Sequence, residues 1–195
     1  TEANVALLAS RGVAMVGPDS GELACGWEGV GRMSDPAVIV EAVAGQLVSE
    51  TLAGRRVVVT AGGTAEPIDA VRSITNPSSG KLGFAIAAEA VRRGADVTLI
   101  AGVTSLATPL GVRRIDAPSA GEMRDAVLAE FAQSDIVIKA AAVADFRPVN
   151  ASSRKIKKEA LAEGENMTLE LVQNPDILKE ISAKKGERTI VGFAA

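Results

Sequence analysis

The stretch Val57–Gly83, VVVTAGGTAEPIDAVRSITNPSSGKLG, decides how this chain is read. It opens on an apolar β-branched run, Val57-Val58-Val59, with the character of a buried strand. The run breaks at Thr60 into Ala61-Gly62-Gly63-Thr64. Glycines after a buried parallel strand let backbone amides approach an anion with no Cβ in the way. A polar segment follows, Ser73-Ile74-Thr75-Asn76-Pro77-Ser78-Ser79-Gly80-Lys81, and leads into an amphipathic helix predicted from Ser79 to Arg93. Two loops rich in amides and hydroxyls within one strand–helix unit point to a phosphate or nucleotide site.

Downstream the alternation continues. Strands are predicted at Val97–Ile100, Val112–Ile115, Ile136–Ile138 and Thr189–Gly192, with a half-exposed strand at Met167–Val172. Helices are predicted from Ser119 to Gln133, with Ser119 and Glu122 forming a capping box, and from Asn174-Pro175-Asp176 to Lys185. A polar segment, 140–165, interrupts the rhythm. This pattern implies an α/β, Rossmann-like three-layer domain with a mainly parallel sheet and right-handed crossovers.

Upstream, residues 1–11 read as a helix ended by Gly12, and Val13–Val16 as a short strand. Gly17–Met33 is read as a glycine-rich loop. Ser34-Asp35-Pro36 starts a helix expected to reach Leu52. The expected organisation is an N-terminal remnant over 1–52 and a main domain over 53–195. With no initial Met and an end at Gly192-Phe193-Ala194-Ala195, just past a strand, the chain is expected to be a piece of a longer polypeptide.

Composition bounds the chemistry. Hydrophobic residues are 47% and charged residues 23% of the 195, the balance of an ordinary soluble globular protein. A net charge of −3 gives no argument for nucleic acid or an anionic membrane. One cysteine excludes an intrachain disulfide and a cysteine-based zinc site. The absence of histidine excludes a histidine base, a Ser-His-Asp triad or a histidine metal ligand within this chain. No apolar run approaches the roughly 20 residues of a membrane span, and no signal peptide opens the sequence, so a cytoplasmic location is expected.

Alone, the Gly62-Gly63 loop is a tight turn of any α/β domain. It matches neither GxGxxG nor GxxxxGK[ST], so an ordinary NAD site has weak support. The Asn76 loop is more specific, because a side-chain amide offers both donor and acceptor to orient an acyl group. Ser78 and Ser79 can cap the next helix, and capping alone would account for them. Arg72, four positions before Asn76, reads by itself as a surface arginine. Ala140 to Pro148, AAAVADFRP, leaves the carboxyl end of a strand, where open sheets bind ligands, and places Asp145 to meet a base or ribose. The run Ser153-Arg154-Lys155-Ile156-Lys157-Lys158 could neutralise phosphate charge, although a charge run taken alone is a solvated face. Asn174-Pro175-Asp176-Ile177 alone is routine capping.

Together these segments resemble the ligase half of the bifunctional coenzyme A biosynthesis family, phosphopantothenoylcysteine decarboxylase/phosphopantothenate–cysteine ligase. The matching stretches are VTAGGTAEPIDAVRSITNPSSGKLGFAIA, AAVADFRP with KIKK, VQNPDIL and GFAA, in family order over nearly all of 55–195. The N-terminal part resembles the end of the decarboxylase half, with Gly21–Gly26 and Gly31-Arg32-Met33 in the place of its substrate flap.

The resemblance implies a CTP- and Mg²⁺-dependent union of 4′-phosphopantothenate with L-cysteine through an acyl-cytidylate. It implies that Asn76 binds the intermediate and that Lys155 stabilises charge on the reacting phosphate. Gly62, Gly63, Ala141, Asp145, Pro175, Asp176, Ile177, Leu178 and Phe193 would line the CTP site with Lys155. Arg72 would hold phosphopantothenate across a homodimer interface. Cys25 would be the proton donor of the decarboxylase, unless it is only a small buried thiol. The flavin-binding segments of that half are missing, so FMN is expected in the parent protein and no decarboxylation from this piece alone. The family's domain continues past GFAA with further lysines for the triphosphate. The competing readings are a Rossmann-like NAD(P)-binding oxidoreductase and a non-catalytic nucleotide-binding or dimerisation module.

Overall fold

The chain divides into two compact units, Thr1–Ser49 and Glu50–Ala195. The computed structural model describes residues 2–23, 26–47, 49–157 and 166–193.

In the first unit, helix α1 (Glu2–Ser10) has no buried residue, and the chain leaves it through Gly12 at φ +80°. Val13–Val16 is not a strand: apolar alternation supplies no ladder by itself, and Val13 and Met15 are each 46% exposed. The segment read as a loop instead holds an antiparallel hairpin, β1 (Asp19–Glu22) against β2 (Glu28–Arg32), with Gly21 opposite Gly29. Helix α2 (Pro36–Leu47) starts as expected, with Asp35 Oδ1 accepting from the Ala37 amide at 2.8 Å, but ends at Leu47 rather than Leu52.

The second unit runs β3 (Arg56–Ala61), β4 (Ala65–Pro67), β5 (Ser73–Thr75), α3 (Lys81–Arg92), β6 (Asp96–Ala101), β7 (Val112–Asp116), α4 (Ala120–Phe131), β8 (Ile136–Lys139), β9 (Phe146–Pro148), β10 (Leu171–Gln173), α5 (Ile177–Ser182) and β11 (Thr189–Gly192). Five of these strands form a parallel sheet in the order β11-β8-β3-β6-β7. The strand order reverses at β3, so the α/β three-layer architecture is of the Rossmann-like kind. Two small antiparallel ribbons, β4-β5 and β9-β10, lie outside this sheet.

The alternation of β3 builds both cores. Val57, Val59 and Ala61 pack with Phe84, Ala87 and Ala90 of α3, while Val58 packs on the opposite face with Met123, Val127, Phe131, Ile177 and Ile181. Met123, Val127 and Phe131 recur every four residues and form the buried stripe of α4, each contributing about 1.5–3 kcal/mol by leaving water. Helix α3 crosses β3 so closely that a Cβ on Gly83 would sit 2.5 Å from the Ala61 Cβ.

The two long helices start differently. Ser119 and Glu122 cap α4 reciprocally, as expected. The N-cap of α3 is Gly80, left-handed at φ +76° and without a side-chain cap; Ser79, one residue before it, still accepts from the first helical amide, Lys81 N, through Oγ at 3.4 Å. Gly80 takes that place because a Cβ there would lie 3.2 Å from the Gly62 amide nitrogen. No helix of the described residues is long and apolar enough to cross a membrane.

Candidate functional site

At the carboxyl ends of β3 and β8 the two outgoing loops are sewn together. Ala142 N donates to Gly62 O at 2.8 Å and Thr64 N to Ala142 O at 3.2 Å. Ala144 N donates to Thr64 Oγ1 at 2.9 Å, and Asn76 Nδ2 donates to Val143 O at 3.3 Å. These bonds close the crevice directly above the switch point. A cavity of about 540 Å³ opens beside it, on the β8 side.

One wall of the cavity is Lys139, Ala141, Val143, Ala144, Asp145 and Phe146; the other is Gln173, Asn174, Pro175, Asp176 and Ile177. The walls are tied to each other. Asn174 N donates to Asp145 O at 2.7 Å, and Asn174 Nδ2 donates to Ala144 O at 2.8 Å. Arg147 Nη1 donates to Asn174 Oδ1 and to Gln173 O, both at 3.0 Å. Asn174 is therefore a cross-brace and not a cap. Capping falls to Asp176, whose Oδ1 accepts from the Lys179 amide at 2.9 Å.

Of the residues assigned to the nucleotide, Ala141, Asp145, Pro175, Asp176 and Ile177 converge on this cavity. The side chain of Ile177 faces the core, with the residue only 1% exposed. Leu178 and Phe193 instead line a separate cavity with Ser182, Lys185, Ile190 and Gly192. Gly62 and Gly63 are buried and do not line the main cavity. A Cβ on Gly63 would lie 2.4 Å from Asn76 O, and one on Gly102 would lie 2.3 Å from Gly63 O. The glycine loop is thus shaped by close backbone packing among three loops and lies outside the lining of the main cavity.

Asn76 is exposed and joins the cavity rim through its bond to Val143. Lys155 is exposed on a loop outside the cavity lining. Arg72 is turned toward Asp69 on its own loop and toward Ile156 on another: Nε donates to Asp69 Oδ2 at 3.0 Å, Nη2 also donates to that oxygen, and Nη2 donates to Ile156 O at 2.9 Å. The Asp69 side chain is wholly buried. The Arg72 guanidinium, and after it the Ile156 amide, hold the Asp69 carboxyl well below the usual carboxylate range. Cys25 lies outside the described residues.

Lys139, Asp69 and Asn174 were not singled out individually in the sequence. Lys139 ends the apolar run Ile136-Val137-Ile138 and lines the cavity half-buried. Burial pushes its ammonium below the ordinary lysine value, with the Asp176 charge opposing. A charge at the carboxyl end of a buried parallel strand was the signal that could have found it.

Residues 52–195 match the family described as DNA/pantothenate metabolism flavoprotein C-terminal domain. The whole chain is 50% identical, over 197 residues, to the coenzyme A biosynthesis bifunctional protein CoaBC of Escherichia coli K12 and covers 48% of it. It is 47% identical over 196 residues to the protein of that name from Bacillus subtilis 168, with 98% of this chain and 47% of that one covered. The chain thus spans about half the length of the curated relatives it matches. Among solved structures, the C-terminal domain of a coenzyme A biosynthesis bifunctional protein CoaBC superposes with a TM-score of 0.65 at 42% identity, covering 75% of this chain and 67% of that one.

Proposed function

The chain belongs to the family of DNA/pantothenate metabolism flavoprotein C-terminal domains, and on that premise we propose that it is the ligase half of a bifunctional coenzyme A biosynthesis protein. It joins 4′-phosphopantothenate to L-cysteine at the expense of CTP. The substrate carboxylate attacks the α-phosphorus, the bond to the bridging oxygen breaks and pyrophosphate leaves. The cysteine amine then attacks the acyl carbon of the cytidylate, CMP leaves and the amine gives up a proton to solvent. Activation by CTP supplies the leaving group, so a site without histidine needs only to position the reactants and screen charge.

The observation that supports this reading most is the meeting of the Asp145 wall and the Pro175-Asp176 wall around one cavity, with the Asn76 amide fixed beside it through Val143. Asp145 is assigned to the cytidine. Asn76 has used one N–H on Val143 and keeps its carbonyl and second N–H for the acyl phosphate. Lys155 and Lys139 are assigned to phosphate charge, and the Nη1 edge of Arg72, which is unbonded among the described residues, to phosphopantothenate. Mg²⁺, when bound with the nucleotide, neutralises phosphate charge. Among the described residues no group of three or more His, Cys, Asp or Glu could hold an ion; the metal is assigned to the triphosphate, as Mg²⁺ commonly is.

The decarboxylation, its FMN and the role of Cys25 are assigned to the rest of the parent protein. The described helices of the first unit have no buried residue. A second copy of the chain is the proposed partner of the β9-β10 ribbon, where Phe146, Val149, Leu171 and Val172 are exposed apolar residues.

The test is calorimetric titration of CTP, ATP and NADPH onto the intact parent protein, followed by a pyrophosphate-release assay with phosphopantothenate. CTP is expected to bind in preference to the others and to turn over. Preference for NADPH would replace the ligase with an oxidoreductase, and CTP binding without turnover would replace it with a nucleotide-binding module.

A further inference from the structure

The Asp69 carboxylate has more partners than a turn requires. Oδ1 accepts from the amides of Val71 and Arg72, both at 2.9 Å, which closes its own turn. Oδ2 accepts from the Arg72 guanidinium and from the amide of Ile156 at 3.0 Å, a residue 87 positions away. Arg72 completes the link by donating to the Ile156 carbonyl at 2.9 Å. Both backbone groups of Ile156, the residue after Lys155, are thereby held by one ion pair, its carboxylate buried and its guanidinium half-exposed. The same loop is tied again where Ser152 N donates to Ile68 O at 3.0 Å. An acid this buried and this fully bonded is a rigid joint between two loops that otherwise run through solvent.

We propose that Asp69 is a positioning residue for the ligase reaction: it docks the Lys155 loop onto Arg72, so that one buried carboxylate sets both the phosphate-stabilising lysine and the substrate-binding arginine. The proposal rests on the ligase reading given above. Asp69 touches no reactant; it acts on kcat through Lys155 and on the KM for phosphopantothenate through Arg72. Its loss lets the Lys155 loop leave the surface, and a displacement on the ångström scale costs about 100-fold in rate.

The experiment uses the full-length parent and two readouts. The first is tryptic cleavage after Arg154, Lys155 or Lys157 under native conditions. Asp69→Asn is expected to speed it about 10-fold or more, because cleavage tracks local opening. Ile156→Pro, which removes the amide donor of the loop and leaves Asp69 free to pair with Arg72, is expected to do the same after Arg154 and Lys157; the bond after Lys155 resists trypsin once proline follows it and is left out of that comparison. The second readout is a double-mutant cycle on CTP-dependent pyrophosphate release. Asp69→Asn should lower kcat about 10- to 100-fold in the wild-type background and less than about 3-fold when Lys155 is already Gln. Unchanged cleavage in both variants would overturn the docking. Equal losses in both backgrounds would overturn action through Lys155. Faster cleavage in the variants of a protein that shows no CTP-dependent release in its wild-type form would overturn the ligase reading and the positioning role with it, and keep the mechanical joint.

Discussion

The side-chain amide of Asn76 donates to the carbonyl of Val143 at 3.3 Å, across 67 positions of sequence. This bond fixes the amide plane of one loop against the wall of a cavity built by another. Asp at this position keeps the size and loses both N–H donors. In the intact enzyme Asn76→Asp is expected to leave CTP-dependent pyrophosphate release within about 3-fold, while amide formation falls about 100-fold, the usual cost of one lost donor at a developing charge. Rapid-quench separation of cytidylate from final product measures both steps. Normal amide formation in the variant would remove Asn76 from the site.

Lys155 is expected to act one step earlier. It is exposed on its loop, and the charge it meets is greatest when the α-phosphate is attacked. Lys155→Gln should slow pyrophosphate release itself by about 100- to 1,000-fold. A variant that releases pyrophosphate at the normal rate would contradict this role.

Lys139 is expected to trade stability for binding. Its ammonium is half-buried in the cavity wall and makes no ion pair among the described residues. Burial places its folded pKa below the ordinary 10.5 of a lysine. Between those two values the unfolded chain binds more protons than the folded one, so stability rises with pH across that window. The penalty is fully present below the lowered pKa. Lys139→Met should therefore raise Tm near pH 7, by about 2–4 °C for each kcal/mol relieved, and remove that alkaline rise. The same change should weaken CTP binding several-fold, and wild-type affinity should fall as pH climbs through the lowered pKa. Thermal melts and titrations over pH 7–10 test both halves; a Tm that falls on substitution would show that the ammonium is not desolvated.

What could be read in the sequence was what local rules determine. β3, β6 and β8 are apolar β-branched runs, and Ser119 with Glu122 is a complete capping box, so their neighbours in space had no need to be known. Val13–Val16 failed because a strand exists only with a partner. The β1–β2 hairpin was hidden by glycines at Gly21, Gly29 and Gly31, which carry no side chain to alternate. In the site, the motif segments were visible, but not their distances. Nothing local distinguishes Ile177, at the main cavity, from Leu178, which faces another. Nor could Asp69 be paired with Ile156 before the fold brought them together.

The glycine loop supplies the remaining test, because the sequence and the structure assign it different work. By sequence, Gly63 offers its amide to the nucleotide. In the structure it is buried, and a Cβ there would sit 2.4 Å from Asn76 O and 3.6 Å from the Ser78 Cβ. Gly63→Ala must push the Asn76 loop outward, since the backbone of Gly102 blocks movement on its other side. Overpacking of this kind costs about 1–3 kcal/mol, so a fall in Tm is expected. Displacing Asn76 should lower kcat for amide formation about 10-fold or more and leave the KM for CTP nearly unchanged. Steady-state kinetics of the intact enzyme separates the two assignments. A rise in the KM for CTP with kcat intact would return Gly63 to the nucleotide; a fall in kcat alone would make it the spacer that sets how far Asn76 reaches toward the acyl group.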